Sequence, residues 1–388
     1  MPELLLLRGA KQLLTLRGPS GARRGTALHE LNVIEDGAVL IRDGLIVCVG
    51  PTRRLENLKE ARGAPELSVE GAVVMPGFAD PGLRLSLMPE DTRKPKKIGD
   101  FSSESLTLMR SCLAHGTLNV QVKANAGDGG FRSDLSVLRK LAGLNDQPVR
   151  IMRTWYLNRL SEALHDSNHD HNASFGFLRQ RNLAHSVEVC SDSNAGLQDR
   201  IWNAAAAKSL DVNLLWPGGS ADILSELLHR ASPRTVYAPS DLTPAECGIL
   251  AKQSAFTVFS PNKELLEERG GDAARQIAAA GGAVALCSGY DPTHTPAFSM
   301  QMALALAVLR LRLTPEQAIA AATINAAHAM GIGHFTGSLE AGKRADLLVL
   351  NVPDYREIPR RIGVNNVTMA IRDGKIALNR SGTKVRIT

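Results

Sequence analysis

Val73-Val74-Met75-Pro76-Gly77-Phe78-Ala79-Asp80-Pro81-Gly82-Leu83-Arg84-Leu85 is an apolar run broken at one Pro-Gly and closed by a second. It reads as a linker feeding a buried strand, since an apolar run suits a strand covered on both faces and Pro-Gly interrupts it. In parallel α/β architectures the far end of such a strand opens at a site. Residues on both sides therefore have to be read for the sheet that this strand enters.

Upstream, residues 1–74 hold short β-like pieces. Val39-Leu40-Ile41-Arg42 and Leu45-Ile46-Val47-Cys48-Val49 flank Asp43-Gly44, the signature of a two-residue hairpin turn with positive φ at both centres. The device recurs near the other end, where Met369-Ala370-Ile371-Arg372 and Lys375-Ile376-Ala377 flank Asp373-Gly374. Two Ile-Arg-Asp-Gly hairpins at opposite termini predict that the ends of the chain meet in one small β-sandwich, which also gives residues 1–74 the apolar surface that so short a strand set needs to fold.

Downstream, short apolar runs alternate with helical segments. After the Val73 stretch come Leu118–Val122, Val149–Trp155, Val187–Cys190, Val212–Trp216, Thr235–Ala238, Phe256–Phe259 and Ala283–Ser288. Helix signals lie between them: Ser103 ahead of Leu106, Leu108 and Met109; Leu135, Leu138 and Leu141 at steps of three; Thr243-Pro244-Ala245-Glu246 as a cap with proline in the first turn. Eight strands alternating with helices over 75–336 predict a (β/α)₈ TIM barrel. An open doubly wound sheet would need a glycine-rich phosphate fingerprint, and no Gly-x-Gly-x-x-Gly is present. The expected organisation is thus 1–74 and 337–388 as the two parts of the sandwich, with the barrel at 75–336.

Length and composition agree. The 388 residues, 44% hydrophobic and 22% charged, suit one large and one small folded domain. Leu4–Leu7 is cut short by Arg8, too early for a signal peptide or a membrane span, so a cytoplasmic protein is expected. Five scattered cysteines without Cys-x-x-Cys are read as reduced thiols. The net charge of +6 is spread along the chain with only 16 aromatic residues, which argues against nucleic acid; the Arg93-Lys94-Pro95-Lys96-Lys97 run reads as a solvated loop.

The Val73–Leu85 stretch resembles the entry strand of the amidohydrolase superfamily, in which Pro-Gly-apolar-apolar-Asp precedes a metal-binding His-x-His. The last third is similar to the imidazolonepropionase branch: Leu313-Thr314-Pro315-Glu316-Gln317-Ala318, Ala320 through Gly331, Gly337-Ser338-Leu339-Glu340-Ala341-Gly342-Lys343-Arg344-Ala345-Asp346, and Val352-Pro353-Asp354-Tyr355-Arg356. The resemblance implies hydrolysis of a carbon–nitrogen bond in a cyclic amide, a metal-dependent hydrolase barrel, and one zinc or iron that lowers the pKa of bound water. It also implies a homodimer.

Residue by residue the implied metal site is missing. The His-x-His positions are Gly82 and Arg84; the strand-five histidine is Leu215; the strand-six histidine is Ala238; the strand-eight aspartate is Gly289; and the histidine after strand three falls at Arg159. No histidine lies between His29 and His115, or between His185 and His294 except His229, so a shift in register does not restore the set. The expectation is a pseudoenzyme without a metal cofactor that binds a small molecule or a partner; the alternative is an active cyclic-amide hydrolase that uses no metal or a displaced one. Candidates for the latter are His165, His169 and His171 beside Asp166 and Asp170, whose other reading is a polar surface loop. Asp291 with His294 forms a further possible acid/base pair past strand eight. Arg84, Lys123 and Arg159 suggest an anion-binding pocket for a small molecule, since guanidinium groups take carboxylate or phosphate bidentately. The competing readings are that the arginines turn outward or pair with local acids such as Glu90, and that Lys123 only marks the barrel rim.

Overall fold

A computed structural model describes residues 3–86, 98–126, 130–144, 147–157, 170–190, 195–383 and 385. The chain opens with β1 (Leu4–Leu14), β2 (Val33–Arg42), β3 (Leu45–Pro51), β4 (Glu66–Ser68) and β5 (Val73–Pro76). It continues with β6 (Phe78–Ser86), β7 (Thr117–Asn125), β8 (Arg150–Leu157), β9 (Ser186–Cys190), β10 (Asp211–Leu215), β11 (Thr235–Tyr237), β12 (Phe256–Phe259) and β13 (Ala283–Leu286). It ends with β14 (Leu347–Leu350), β15 (Val367–Arg372) and β16 (Lys375–Asn379). Strands β6 to β13 form a parallel sheet in sequential order with helices between them. The edge strands meet: the Arg84 N–H donates to Tyr290 O at 2.8 Å, and the Ser288 N–H donates to the Asp80 carboxylate at 3.0 Å. This is the expected (β/α)₈ barrel.

The remaining strands form one mixed sheet in the order β16-β15-β14-β5-β1-β2-β3, with β4 beside β1. Both termini contribute, and β5 joins them: it runs parallel to β1 and antiparallel to β14, pairing Val73 with Leu350 and Pro76 with Leu347. The Val73–Leu85 stretch is therefore two strands in two sheets. The segment expected to be a linker is itself a strand, and the chain changes sheet at Gly77, where a Cβ would lie 2.4 Å from the Leu118 side chain. Only a residue without a side chain lets the two sheets approach so closely.

The two hairpins find each other. Asp43-Gly44 and Asp373-Gly374 have φ of 52°, 80°, 49° and 76°, as a primed turn requires. The sheet curls until the turns touch: a Cβ on Gly374 would lie 2.7 Å from Gly44 Cα. Val39, Ile41, Ile46, Leu347, Val349, Met369 and Ile371 form a core inside the curl. Arg150, on a barrel strand, clamps Asp346 at 3.0 Å and Asp373 at 2.8 Å and so fixes sheet to barrel.

The helix signals are realised with one shift. Thr243 and Glu246 cap Pro244–Ala251 reciprocally, and Leu135, Leu138 and Leu141 are buried on Phe131–Ala142. Ser103 is not a cap, because the helix spans Ile98–Ala114 and the Ser103 hydroxyl bonds back to Asp100 O at 2.9 Å. No helix among the described residues is long and apolar enough to cross a membrane.

Candidate functional site

Alternation along the barrel strands stacks the interior in layers. Gln121, Thr154, Ser186, Asn213 and Thr235 form a polar layer. Gln121 Nε2 donates to Thr154 Oγ1 at 2.8 Å and Ser186 Oγ at 3.0 Å, and Thr235 Oγ1 donates to Asn213 Oδ1 at 2.8 Å. Two residues further along the same strands come Lys123, Tyr156, Glu188, Leu215 and Tyr237. With Arg84 of β6 they line a cavity of about 290 Å³ at the C-terminal mouth. Gly82, Ser260, Lys263, Glu267, Cys287, Gly289, Tyr290, Asp291, His294 and Thr295 complete its wall.

The charges in the cavity come in pairs. Lys123 Nζ lies 3.0 and 2.7 Å from the two oxygens of Glu188 and 3.1 Å from the centre of the Tyr237 ring. Glu188 is 1% exposed and Lys123 9%, so this is a buried ion pair with a cation–π contact. Nearer the mouth, Arg84 Nη1 is 3.3 Å from Asp291 Oδ2, and its guanidinium lies 4.9 Å from the Tyr156 ring centre. Arg84 thus pairs with a local acid, Asp291; Glu90 lies outside the described residues. Asp291 Oδ1 accepts from the Thr293 N–H at 2.9 Å and the His294 N–H at 3.0 Å, and His294 Nδ1 is 3.3 Å away. Burial pushes the Asp291 carboxyl up, but the His294 and Thr293 donors and the Arg84 charge outweigh it and hold it below its ordinary value. The expected Asp291–His294 pair therefore exists as a contact, with the carboxylate already committed to backbone donors and to Arg84.

Deeper, the Cys287 thiol lies 2.8 Å from Ser260 Oγ; burial, with the Asp80 charge adding, pushes it up to about 12. Asp80 is fully buried and accepts from the N–H groups of Gly82 and Ser288. Burial raises it to about 6 against those hydrogen bonds.

The side chains at the implied metal positions do not fit a zinc or iron ion. Gly82, Arg84, Leu215 and Gly289 converge on the cavity, but they offer no imidazole or carboxylate, and Ala238 sits buried just beyond β11. Two positions are also filled by neighbours. A Cβ at Gly82 would meet Cys287 Sγ at 2.5 Å, and one at Gly289, where φ is +66°, would meet Ser260 Cβ at 2.7 Å. Among the described residues no group of three or more His, Cys, Asp or Glu is placed to hold a metal.

Arg159, His165, Asp166, His169 and the Arg93–Lys97 run lie outside the described residues. Of the cluster after strand three, Asp170 and His171 are described, and they begin a helix rather than continue a loop. Asp170 caps His171–Gln180 by accepting from the Ala173 N–H at 2.9 Å, and the buried His171 ring faces Phe175. The sequence reading passed over Glu188, Tyr237, Cys287 and Ser260. Glu188 carried a usable signal, a carboxylate between Val187 and Val189 in a buried strand, where a charge needs a partner. Ser260 and Cys287 carried none, because their meeting depends on strand packing.

The amidohydrolase family model matches residues 228–377. Over its full length the chain is similar to the imidazolonepropionase of Geobacillus kaustophilus, 30% identical with 97% of this chain and 98% of that protein covered. It is likewise similar to that of Parabacteroides distasonis, 27% identical over 96% and 98%. Among solved structures, a triazine hydrolase variant superposes with a TM-score of 0.77 at 15% identity, covering 97% of this chain and 95% of that one. An adenosine deaminase from Xanthomonas campestris with bound zinc superposes with a TM-score of 0.72 at 18% identity, covering 98% and 94%. Full-length similarity to imidazolonepropionases, together with a barrel entered through the Pro76-Gly77 strand switch, makes this chain a member of the amidohydrolase superfamily.

Proposed function

We propose that this chain is an imidazolonepropionase-like protein that has lost metal-dependent hydrolysis and binds a small anionic molecule at the barrel mouth. The observation that carries the reading is that the space for ligands at Gly82 and Gly289 is filled by Cys287 and Ser260. The positive charge a metal would bring comes instead from Arg84 and Lys123, both on the cavity wall.

Arg84 is the group that meets the anion. Its 3.3 Å contact with Asp291 is longer than the roughly 2.7–2.9 Å of a strong charge-assisted pair. Asp291 keeps its backbone donors when the guanidinium turns away. A ligand carboxylate can therefore replace Asp291 on Arg84 without leaving a buried carboxylate unsupported. Lys123 stays on Glu188 and adds positive potential beneath.

The test is metal content per chain, for untagged protein expressed with zinc and iron supplied, alongside thermal unfolding with and without small carboxylates. Folded protein with far less than one metal per chain, and an unfolding midpoint raised by carboxylate in the wild type but not in Arg84→Ala, is the expected result. Near-stoichiometric metal that survives dialysis, or a rise that persists in Arg84→Ala, overturns the reading.

A further inference from the structure

We infer that Lys123 is a nucleophile, and that the cavity takes a small 2-oxo acid whose carbonyl carbon Lys123 captures as an iminium. The inference rests on the anion-binding reading above and adds a covalent step to it. Lys123 lines the cavity from near the end of β7 and is 9% exposed there. Two groups around it suit the reaction. The Glu188 oxygens, at 2.7 and 3.0 Å, are within direct proton-transfer distance of Nζ. The Tyr237 ring face, 3.1 Å away, favours a positive nitrogen at that place whether it is an ammonium or an iminium.

The step balances within these residues. The Lys123 ammonium passes one proton to Glu188, and the free amine forms a bond to the carbonyl carbon as the C=O π bond opens onto oxygen. A proton moves from nitrogen to that oxygen, giving a neutral carbinolamine. Glu188 then returns its proton to the hydroxyl, which leaves as water while the nitrogen lone pair closes the C=N bond. The three protons of the ammonium end as one on the iminium nitrogen and two in the water, and Glu188 is again a carboxylate beside a cation. No metal or redox partner is consumed. The carbonyl compound is an acid because Arg84 is the register partner of Lys123 on the neighbouring parallel strand, and both line the cavity. A carboxylate on Arg84 places the adjacent carbonyl carbon over Lys123, and a cavity of about 290 Å³ has room for a small 2-oxo acid.

The test is reductive trapping. The full-length protein is incubated with pyruvate and sodium cyanoborohydride at neutral pH, and its mass and peptide map are followed. One N-carboxyethyl group per chain, located on Lys123, is expected. The adduct should be absent in Lys123→Arg, which keeps the charge but not the amine, and should form on the order of 100-fold more slowly in Glu188→Gln. Because the map of the wild-type protein itself locates the adduct, a variant that fails to fold does not obscure the answer. No adduct, or labelling scattered over surface lysines and undiminished in Lys123→Arg, overturns the inference. If pyruvate raises the unfolding midpoint through Arg84 without trapping, the covalent step fails and anion binding stands; if it does neither, both fail.

Discussion

Replacing Lys123 by methionine should destabilise the protein far more than replacing Lys123 and Glu188 together. At 2.7 Å and an effective dielectric near 20, the raw attraction of the pair is about 6 kcal/mol. Desolvation of two nearly buried ions takes back most of it, so the intact pair adds little net stability. Lys123→Met leaves Glu188, 1% exposed, as an uncompensated buried carboxylate, at a cost of about 3–5 kcal/mol. Glu188→Met should cost less, about 1–3 kcal/mol, because the ammonium keeps the Tyr237 ring and an open cavity toward which it can lean. The double methionine variant, with similar volume and no charge, should return to within about 1–2 kcal/mol of wild type. Urea denaturation of the four proteins, followed by the fluorescence of buried Trp155, Trp202 and Trp216, gives a coupling energy expected to exceed about 2 kcal/mol. Additive single effects would refute the argument, because they would mean that the two charges do not depend on each other.

Two further outcomes follow from the same interior. Gly82→His should lower the denaturation midpoint and bind no additional metal, since its Cβ would lie 2.5 Å from Cys287 Sγ; adding Cys287→Ala should recover part of the loss, and equal midpoints with and without Cys287→Ala would contradict the clash. The stability that Asp80 and Glu264 contribute should fall as pH rises from about 4 to about 7, against an opposite change from His328, which burial lowers from 6.5 to about 4. Burial raises Asp80 from 3.8 to about 6, and burial raises Glu264 from 4.5 to about 7 against the Ser240 hydrogen bond and Arg269, with Asp241 and Glu267 adding to the rise. Both groups hold protons in the folded state that the unfolded chain has already released, so their favourable contribution is full below about 4 and is lost through about 6 and 7. Asp80→Asn, which keeps an oxygen for the Gly82 and Ser288 N–H groups, should flatten the lower part of that slope, and Glu264→Gln the upper part. Denaturation midpoints measured across this range check both, and unchanged slopes in the variants would count against the assignment.

The barrel and the meeting of the chain ends were legible because local patterns carry them. Short apolar runs, the Asp-Gly turns and the Thr243 cap are set by residues within a few positions of one another. The family resemblance pointed to Gly82, Arg84, Leu215 and Gly289 as the positions to inspect, and all four line the barrel-mouth cavity. The start of the first barrel helix was not legible, because Ser103 has the same identity inside a helix as at its cap.

What the sequence alone determined is the alternation of elements and the chemical identity of each inward-facing position, properties that a strand's two-residue repeat carries without any partner. Tertiary structure decided the partnerships: Lys123 with Glu188 across 65 residues, Arg84 with Asp291, Cys287 in the space beside Gly82, and the change of sheet at Gly77. Those depend on how far each strand is staggered around the barrel and on which side chain reaches a shared space first. A one-dimensional pattern does not encode either, because charge pairing and steric exclusion act through distances that exist only once the barrel has closed.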